Sequence, residues 1–327
     1  MTKPAGQRLS IYVASDFLPE VRSEFEAAFD IVYAAGDVEP LVELAERSQA
    51  GEMFDGVLFS LDVEMRAEQI EALPDSVRFL ATYSVGTDHV DQEAAKARDI
   101  AVFNTPGVLA DSVAEDALFL MLGAARRATE SIDLIRSGRW KGWTPTQLVG
   151  VQLAGRRLGI LGMGDIGRRI ASRAEALGMQ ILHCNRRPPA AEDPLAAGYR
   201  GSAVELIRDC DVLMLVCPST EETRGIVNAE LLVEASAEMI VVNIARGDLV
   251  NDDDLIGALQ DGRIRAAGLD VFAGEPEVDP RYFELPNVFM LPHIGSSTIE
   301  ARLGMGRILI DGVRKWQAGG QAGNRVV

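Results

Sequence analysis

The sequence predicts an α/β chain of two parallel-sheet domains, one inserted into the other. Three observations predict it. Short apolar or β-branched runs alternate with helical patterns almost throughout. The alternation stops at one long apolar helix and then begins again. The chain has 327 residues, more than one hydrophobic core usually organises.

In the first series, residues 9–13, Gly56–Phe59, 78–82 and 100–103 read as strands. Amphipathic stretches at Pro19–Ala28, 39–49, 64–72 and Gln92–Ala97 lie between or beside them. Strands spaced this way imply a parallel sheet covered on both faces. The long helix runs over about residues 108–127, with Ser112 and Glu115 matching a capping box. Its apolar surface is too broad for one exposed face, so it is expected between the domains. The second series places strands at Arg157–Leu161, Gln180–Cys184, 211–216, 239–244 and Ala266–Leu269. A closing helix over residues 296–317 is expected to return to the first domain.

Composition narrows the function classes. With 47% hydrophobic and 25% charged residues the chain is ordinary for a globular protein. Thirty-two Lys plus Arg against 49 Asp plus Glu give a formal charge of −17, and an acidic surface repels nucleic acid and anionic membrane. Cys184, Cys210 and Cys217 are odd in number and lack metal-ligand spacing. They read as small buried hydrophobes of a reducing compartment. The opening MTKPAGQRLS has no apolar signal core, and no apolar run reaches the roughly 18 residues of a membrane span. A cytoplasmic protein without a metal is expected.

The strongest local motif is Arg157-Leu-Gly-Ile-Leu161 running into Gly162-Met163-Gly164-Asp165-Ile166-Gly167 and then a helical pattern. With 31 glycines in the chain, G-x-G-x-x-G alone is a weak signal. Set between a strand and a helix it is a dinucleotide site. Gly162 permits the tight turn, Gly164 lets the backbone approach a pyrophosphate, and Gly167 allows close helix–strand packing. The helix N-terminus supplies N–H groups and a positive dipole end. At the end of the next strand, where a carboxylate would grip the ribose 2′-hydroxyl of NAD, stand Asn185, Arg186 and Arg187. A neutral Asn with two guanidinium groups attracts a 2′-phosphate. NADP(H) is therefore the preferred cofactor, with NAD(H) admitted; solvated loop charges are the alternative reading of the two arginines.

Hydride transfer to a carbonyl needs an acid for the developing alkoxide, a cation for the substrate and a group that orients the acid. Three histidines are available. His183 lies inside a strand and reads as packing, and His89 follows a strand in a loop. His293 follows an apolar run at residues 288–291 and precedes the polar Gly295-Ser-Ser297, at the expected hinge. Arg246 stands at the carboxyl end of a parallel strand, where such sheets bind ligands. Glu275 can accept from one ring nitrogen of His293 and favour its protonated form. A capping Arg and a solvated Glu are the plainer readings of each residue taken alone.

Together, Asn243-Ile-Ala-Arg246-Gly, Gly268-Leu-Asp270-Val, Gly274-Glu275-Pro and Pro292-His293-Ile-Gly295 resemble the D-isomer-specific 2-hydroxyacid dehydrogenases. The likeness runs from about Leu9 to Trp316. Ser84-Val-Gly-Thr-Asp-His-Val90, Ser137-Gly-Arg-Trp-Lys-Gly-Trp143 and Arg246-Gly-Asp-Leu-Val-Asn251 are most similar to glyoxylate/hydroxypyruvate reductases. The resemblance implies a flavodoxin-like substrate domain, residues 1–107 and 296–327, and an inserted NAD(P)-binding Rossmann domain, residues 108–295. It implies that Arg246 binds the substrate carboxylate and reacting oxygen, and that His293, paired with Glu275, is acid in reduction and base in oxidation. The N–H groups of Val85 and Gly86 are implied to hold the carboxylate, with Trp143, Ser296 and Arg302 near the substrate. Asp270 is implied to hold the nicotinamide carboxamide, and Cys217, Pro218, Thr223, Ile244, Ala245 and Gly295 to line the cofactor site. A homodimer joined through the nucleotide domain is implied too, in which Trp143 can reach the other active site.

Other readings stay open on the sequence: another 2-hydroxy acid, phosphite oxidation, a formate-type dehydrogenase, or a nucleotide-sensing regulator without catalysis. The absence of Lys or Arg around Ser60-Leu-Asp62 and Val85-Gly-Thr87 favours a small unphosphorylated acid. The formate-type enzymes usually pair the His with Gln, which Glu275 is not. Intact Arg246, Glu275 and His293 argue against lost catalysis.

Overall fold

The computed structural model describes residues 7–327. Residues 1–6, part of the opening stretch read for a signal core and of the first domain segment, lie outside the described residues. Two compact units result, one of the residues up to Leu109 together with Ser297–Val327, the other of Ala110–Ser296.

The first unit begins β1 (Ser10–Val13), α1 (Pro19–Ala28), β2 (Asp30–Tyr33), α2 (Pro40–Gln49) and β3 (Gly56–Phe59). It continues α3 (Ala67–Ala72), β4 (Phe79–Thr82), α4 (Gln92–Ala97) and β5 (Ala101–Phe103). Its five strands are parallel, in the flavodoxin-like order β2-β1-β3-β4-β5. Central β3 and β4 are buried at every residue, which is why they read as unbroken apolar runs. Sequence reading missed β2, an edge strand that opens on exposed Asp30 and is nowhere fully buried. Helix α3 starts at Ala67 and not at residue 64, because Met65 forms a parallel bridge with Val90.

The second unit runs α5 (Ala110–Ala125), α6 (Ala128–Arg136), β6 (Arg157–Leu161), α7 (Asp165–Ala176), β7 (Gln180–Cys184) and α8 (Ala203–Asp209). Then come β8 (Val212–Leu215), α9 (Ala229–Leu232), β9 (Ile240–Asn243), α10 (Asp252–Gln260), β10 (Ala266–Leu269) and β11 (Val288–Met290). Its six strands are parallel, ordered β11-β10-β9-β8-β6-β7, and a His183–Tyr199 bridge extends the β7 edge. The strand order reverses between β6 and β8, the switch point at which such sheets bind ligands.

Two expectations about the long helix are corrected. Helix α5 ends at Ala125, because Arg127 takes a left-handed φ of 57°. Its guanidinium grips Glu130 at 2.6 Å and a separate helix, α6, follows. Ser112 does not cap α5. The helix has already begun at Ala110, so Ser112 is a buried third residue whose Oγ donates to the Gly295 carbonyl at 2.7 Å.

The chain closes with α11 (Ile299–Gln317), which starts three residues later than residue 296 because Thr298 Oγ1 accepts from the Ala301 N–H as its N-cap. In the first unit α11 packs on α1, and Trp316 makes edge contacts with Phe79 and Phe103. Among the described residues no helix is long and apolar enough to cross a membrane.

Candidate active site

Parallel strands put all their carboxyl ends on one edge of a sheet. In the second unit that edge gathers the loop after β6, Asn185 after β7, Cys217 and Pro218 after β8, Ile244 to Arg246 after β9, Asp270 after β10 and His293 after β11. One topological fact thus collects residues spread over more than a hundred positions.

The glycine loop is tight at two glycines and open at the third. Gly162 has φ 108°, and a Cβ there would stand 2.6 Å from the Cys217 nitrogen. A Cβ at Gly167 would stand 2.5 Å from the Gly162 oxygen. At Gly164 a Cβ would meet nothing within 4 Å, so the loop presents bare backbone beside the first turn of α7. The loop N–H groups of Gly162 and Gly164 are spent on the Cys184 and Gly162 carbonyls, so what fits a pyrophosphate is the positive end of α7 and the room for close approach at Gly164. Buried Met163 donates its N–H to Asn185 Oδ1 at 2.5 Å, and Arg186 and Arg187 next to it are exposed. Burial pushes the Cys217 thiol up to about 11, so Cys217 walls the loop as an apolar group. Thr223 turns inward on its own segment, its Oγ1 donating to the Pro218 carbonyl at 2.8 Å.

His293 Nδ1 and Glu275 Oε1 lie 2.7 Å apart, with both side chains about one-third exposed (31% and 34%). Burial raises the Glu275 carboxyl. The His293 hydrogen bond and charge, the Phe272 N–H at 3.3 Å and the Arg246 charge outweigh burial and hold it below the ordinary range. An ionised Glu275 only accepts, so the shared proton sits on His293 Nδ1 and leaves Nε2 for a substrate. Arg246 is half-buried; its Nη1 donates to the Ala245 carbonyl at 2.7 Å, and Asn243 Nδ2 donates to the Arg246 carbonyl at 2.8 Å.

Asp270 is only 1% exposed. Its Oδ1 accepts from the Ile294 N–H at 2.7 Å and its Oδ2 from the Gly295 N–H at 2.9 Å. Burial raises its carboxyl above the ordinary range, against the pull of those two N–H groups. Ser296 follows Gly295 and is half-buried, while Trp143 lies in an irregular segment and is 80% exposed.

The first unit holds the remaining expected residues. Ser84 Oγ donates to the Gly86 carbonyl at 2.6 Å and Asn104 Nδ2 to the Val85 carbonyl at 2.9 Å. Among the described residues, no hydrogen bond from the Val85 or Gly86 N–H is found. Arg302 stands over the Tyr83 ring, 6.0 Å from its centroid, and donates to Ser297 Oγ at 2.9 Å. Burial lowers Arg302 from its ordinary value. His89 is buried against Thr82 Oγ1 at 2.8 Å and His183 against the Leu195 carbonyl at 3.1 Å, so both are packing residues. Among the described residues no group of three or more His, Cys, Asp or Glu is placed to hold a metal ion.

One residue of this neighbourhood escaped sequence reading: Asp116, on α5, whose Oδ2 is buried without a hydrogen-bond partner. Its signal was an acid on the buried side of an apolar helix, one turn after Ser112.

A dinucleotide loop and a carboxylate-paired histidine on one sheet edge are the parts of a nicotinamide-dependent oxidoreductase. Residues 118–295 match the family model described as D-isomer specific 2-hydroxyacid dehydrogenase, NAD binding domain. Glycerate dehydrogenase of Hyphomicrobium methylovorum is 38% identical over 288 residues, covering 87% of this chain and 89% of that protein. Glyoxylate reductase of Thermococcus kodakarensis is 41% identical over 260 residues, 78% of each chain. The crystal structure of the NADPH-dependent glyoxylate/hydroxypyruvate reductase of Sinorhizobium meliloti with NADP and malonate matches with a TM-score of 0.85 and 32% identity, covering 98% of this chain and 97% of that one. The chain belongs to the D-isomer specific 2-hydroxyacid dehydrogenases, which use NAD(P).

Proposed function

We propose that this protein reduces a small 2-oxo acid, glyoxylate or hydroxypyruvate, to the D-2-hydroxy acid, reversibly and with NADP(H) as preferred cofactor. The observation that carries the reading is the 2.7 Å bond between His293 Nδ1 and Glu275 Oε1 beside Arg246. When bound, the nicotinamide supplies the hydride for the carbonyl carbon. His293 then gives the proton on Nε2 to the carbonyl oxygen as it becomes an alkoxide, while Glu275 steadies the imidazolium through Nδ1. Arg246 binds the substrate carboxylate and the reacting oxygen. The Val85 and Gly86 N–H groups add donors for that carboxylate, with Ser296, Arg302 and Trp143 beside the substrate. In the oxidative direction His293 Nε2 takes the hydroxyl proton.

Nucleotide binding is assigned to residues 108–295, substrate binding to residues 1–107 and 296–327. The cofactor preference rests on Asn185, which faces the Met163 N–H where a carboxylate would repel a 2′-phosphate, and on exposed Arg186 and Arg187. The Sinorhizobium meliloti relative described as NADPH-dependent supports it. A homodimer through the nucleotide-binding unit is supported by exposed Phe119, Leu122, Ile132, Ile135 and Trp140. Three buried free cysteines suit the cytoplasm.

The test is the initial rate of reduced-nicotinamide consumption with glyoxylate, hydroxypyruvate, pyruvate and a longer 2-oxo acid, NADPH and NADH run separately. Fast turnover of either small acid with NADPH is expected. Tight cofactor binding with no turnover of any 2-oxo acid would overturn the substrate assignment.

A further inference from the structure

Ser112 and Asp116 are four residues apart, hence on one face of α5, and both address Gly295. Ser112 Oγ donates to its carbonyl. A Cβ built on Gly295 would stand 3.3 Å from Asp270 Oδ2 and 3.6 Å from Asp116 Oδ2, so two carboxyls flank one backbone position. The Asp270 oxygens already hold the Ile294 and Gly295 N–H groups, whereas Asp116 Oδ2 is buried with no partner. A half-buried acid with an orphaned oxygen is costly unless a ligand completes it.

We propose that Asp116 is a second cofactor-positioning carboxyl, which pairs with Asp270 so that the two present one donor and one acceptor to the carboxamide of a bound nicotinamide. The inference rests on the reading of Asp270 as the carboxamide partner in the proposed function. A primary carboxamide carries an acceptor oxygen and a donor NH2, so its complement is one donor and one acceptor. Two like-charged carboxyls this close do not both ionise readily, and the proton they keep makes one of them the donor. Asp270 receives two N–H groups, which favour its charged form, so the proton falls on Asp116. Burial and then the Asp270 charge push Asp116 up to about 7, against the opposing charge of His293. Glu275 faces Asp270 from the loop after β10, with the Arg246 charge acting on Glu275. On α5 itself Asp111 pairs with Arg169 and Arg173, and Glu115 lies 3.9 Å from Arg173.

The test compares equilibrium binding of NADPH with that of 2′-phospho-ADP-ribose, which lacks only the nicotinamide, between about pH 6 and pH 9. The ratio of the two dissociation constants cancels titration of the shared phosphates. In the wild type NADPH is expected to weaken relative to the probe by about three- to tenfold as Asp116 loses its proton, the worth of one hydrogen bond. Asp116→Asn keeps a donor at every pH and is expected to flatten the profile. Asp116→Leu is expected to weaken NADPH by a similar factor at low pH and to leave the probe unchanged. A flat wild-type profile, or Asp116→Leu weakening both ligands equally, would overturn the proposal and make Asp116 a packing residue. If the wild type takes the unphosphorylated pair instead, NADH against ADP-ribose gives the same comparison, and failure to bind either probe would remove the nucleotide reading on which the proposal stands.

Discussion

The main-chain N–H of His293 donates to the main-chain carbonyl of Asp270 at 2.8 Å, and the Asp270 carboxylate takes the next two N–H groups, of Ile294 and Gly295. Three bonds from one residue thus fix the loop that carries the acid–base group. The loop needs fixing, because His293 has φ 54°, a conformation that L side chains rarely adopt. Replacing Asp270 by Ala leaves two donors unanswered, Gly295 among the buried residues. Asp270→Ala is expected to lower unfolding free energy by about 1–3 kcal/mol, read from denaturant melts. An unchanged midpoint would show that the strain is carried elsewhere.

Loss of His293 should remove proton transfer and little else. His293→Ala is expected to reduce turnover by about 10²–10⁴ while NADPH still binds. Near-normal turnover would end the assignment.

Glu275→Gln keeps the size of the side chain but loses the charge that steadies imidazolium. Turnover is expected to fall by up to about 10⁴-fold, the cost when an amide replaces the carboxylate that orients a catalytic histidine. A variant with wild-type turnover and pH profile would make Glu275 a bystander.

Arg246→Ala is expected to cost about 3–5 kcal/mol in kcat/KM by leaving a substrate carboxylate unpaired. Arg246→Lys should restore only part of it, since an ammonium does not reproduce the two-pronged contact. Unchanged catalytic efficiency in Arg246→Ala would sink the role.

Asp116 gives a pH signature in stability that needs no ligand. Its folded-state pKa of about 7 lies above the ordinary 3.8. Between those values the native state holds a proton that the unfolded chain has released, so this group makes stability fall as pH rises through that window. Asp116→Asn removes the effect. The melting temperature of the variant relative to wild type is therefore expected to climb from about pH 4 to pH 7 and then level off. A difference independent of pH would count against the raised value.

The strand-end chemistry was legible in the sequence because each piece sits beside its own strand. The glycine loop, Arg246, Glu275 and His293 follow apolar runs that carry the pattern, and parallel pairing does the gathering. What was not legible depends on neighbours far along the chain. Ser112 looks like a cap because local spacing allows it; only the Gly295 carbonyl, distant in sequence, shows where its hydroxyl goes. Asp116 lacks any motif, and its meaning comes from Asp270 on another element. The edge strand β2 and the break at Arg127 were missed for a different reason. Partial burial blurs the first, and a single left-handed residue makes the second.

The division of the chain has a consequence for the order of its synthesis. Everything in Ala110–Ser296 is contiguous, so that unit holds all of its own residues while the ribosome is still adding the last stretch. The first unit, although begun earlier, waits for α11 to lay Trp316 against Phe79 and Phe103. Domains usually mature from the N-terminus as they emerge. Here the insertion reverses that sequence: the earlier half spends translation with one flank of β4 and β5 uncovered, and the final helix completes it.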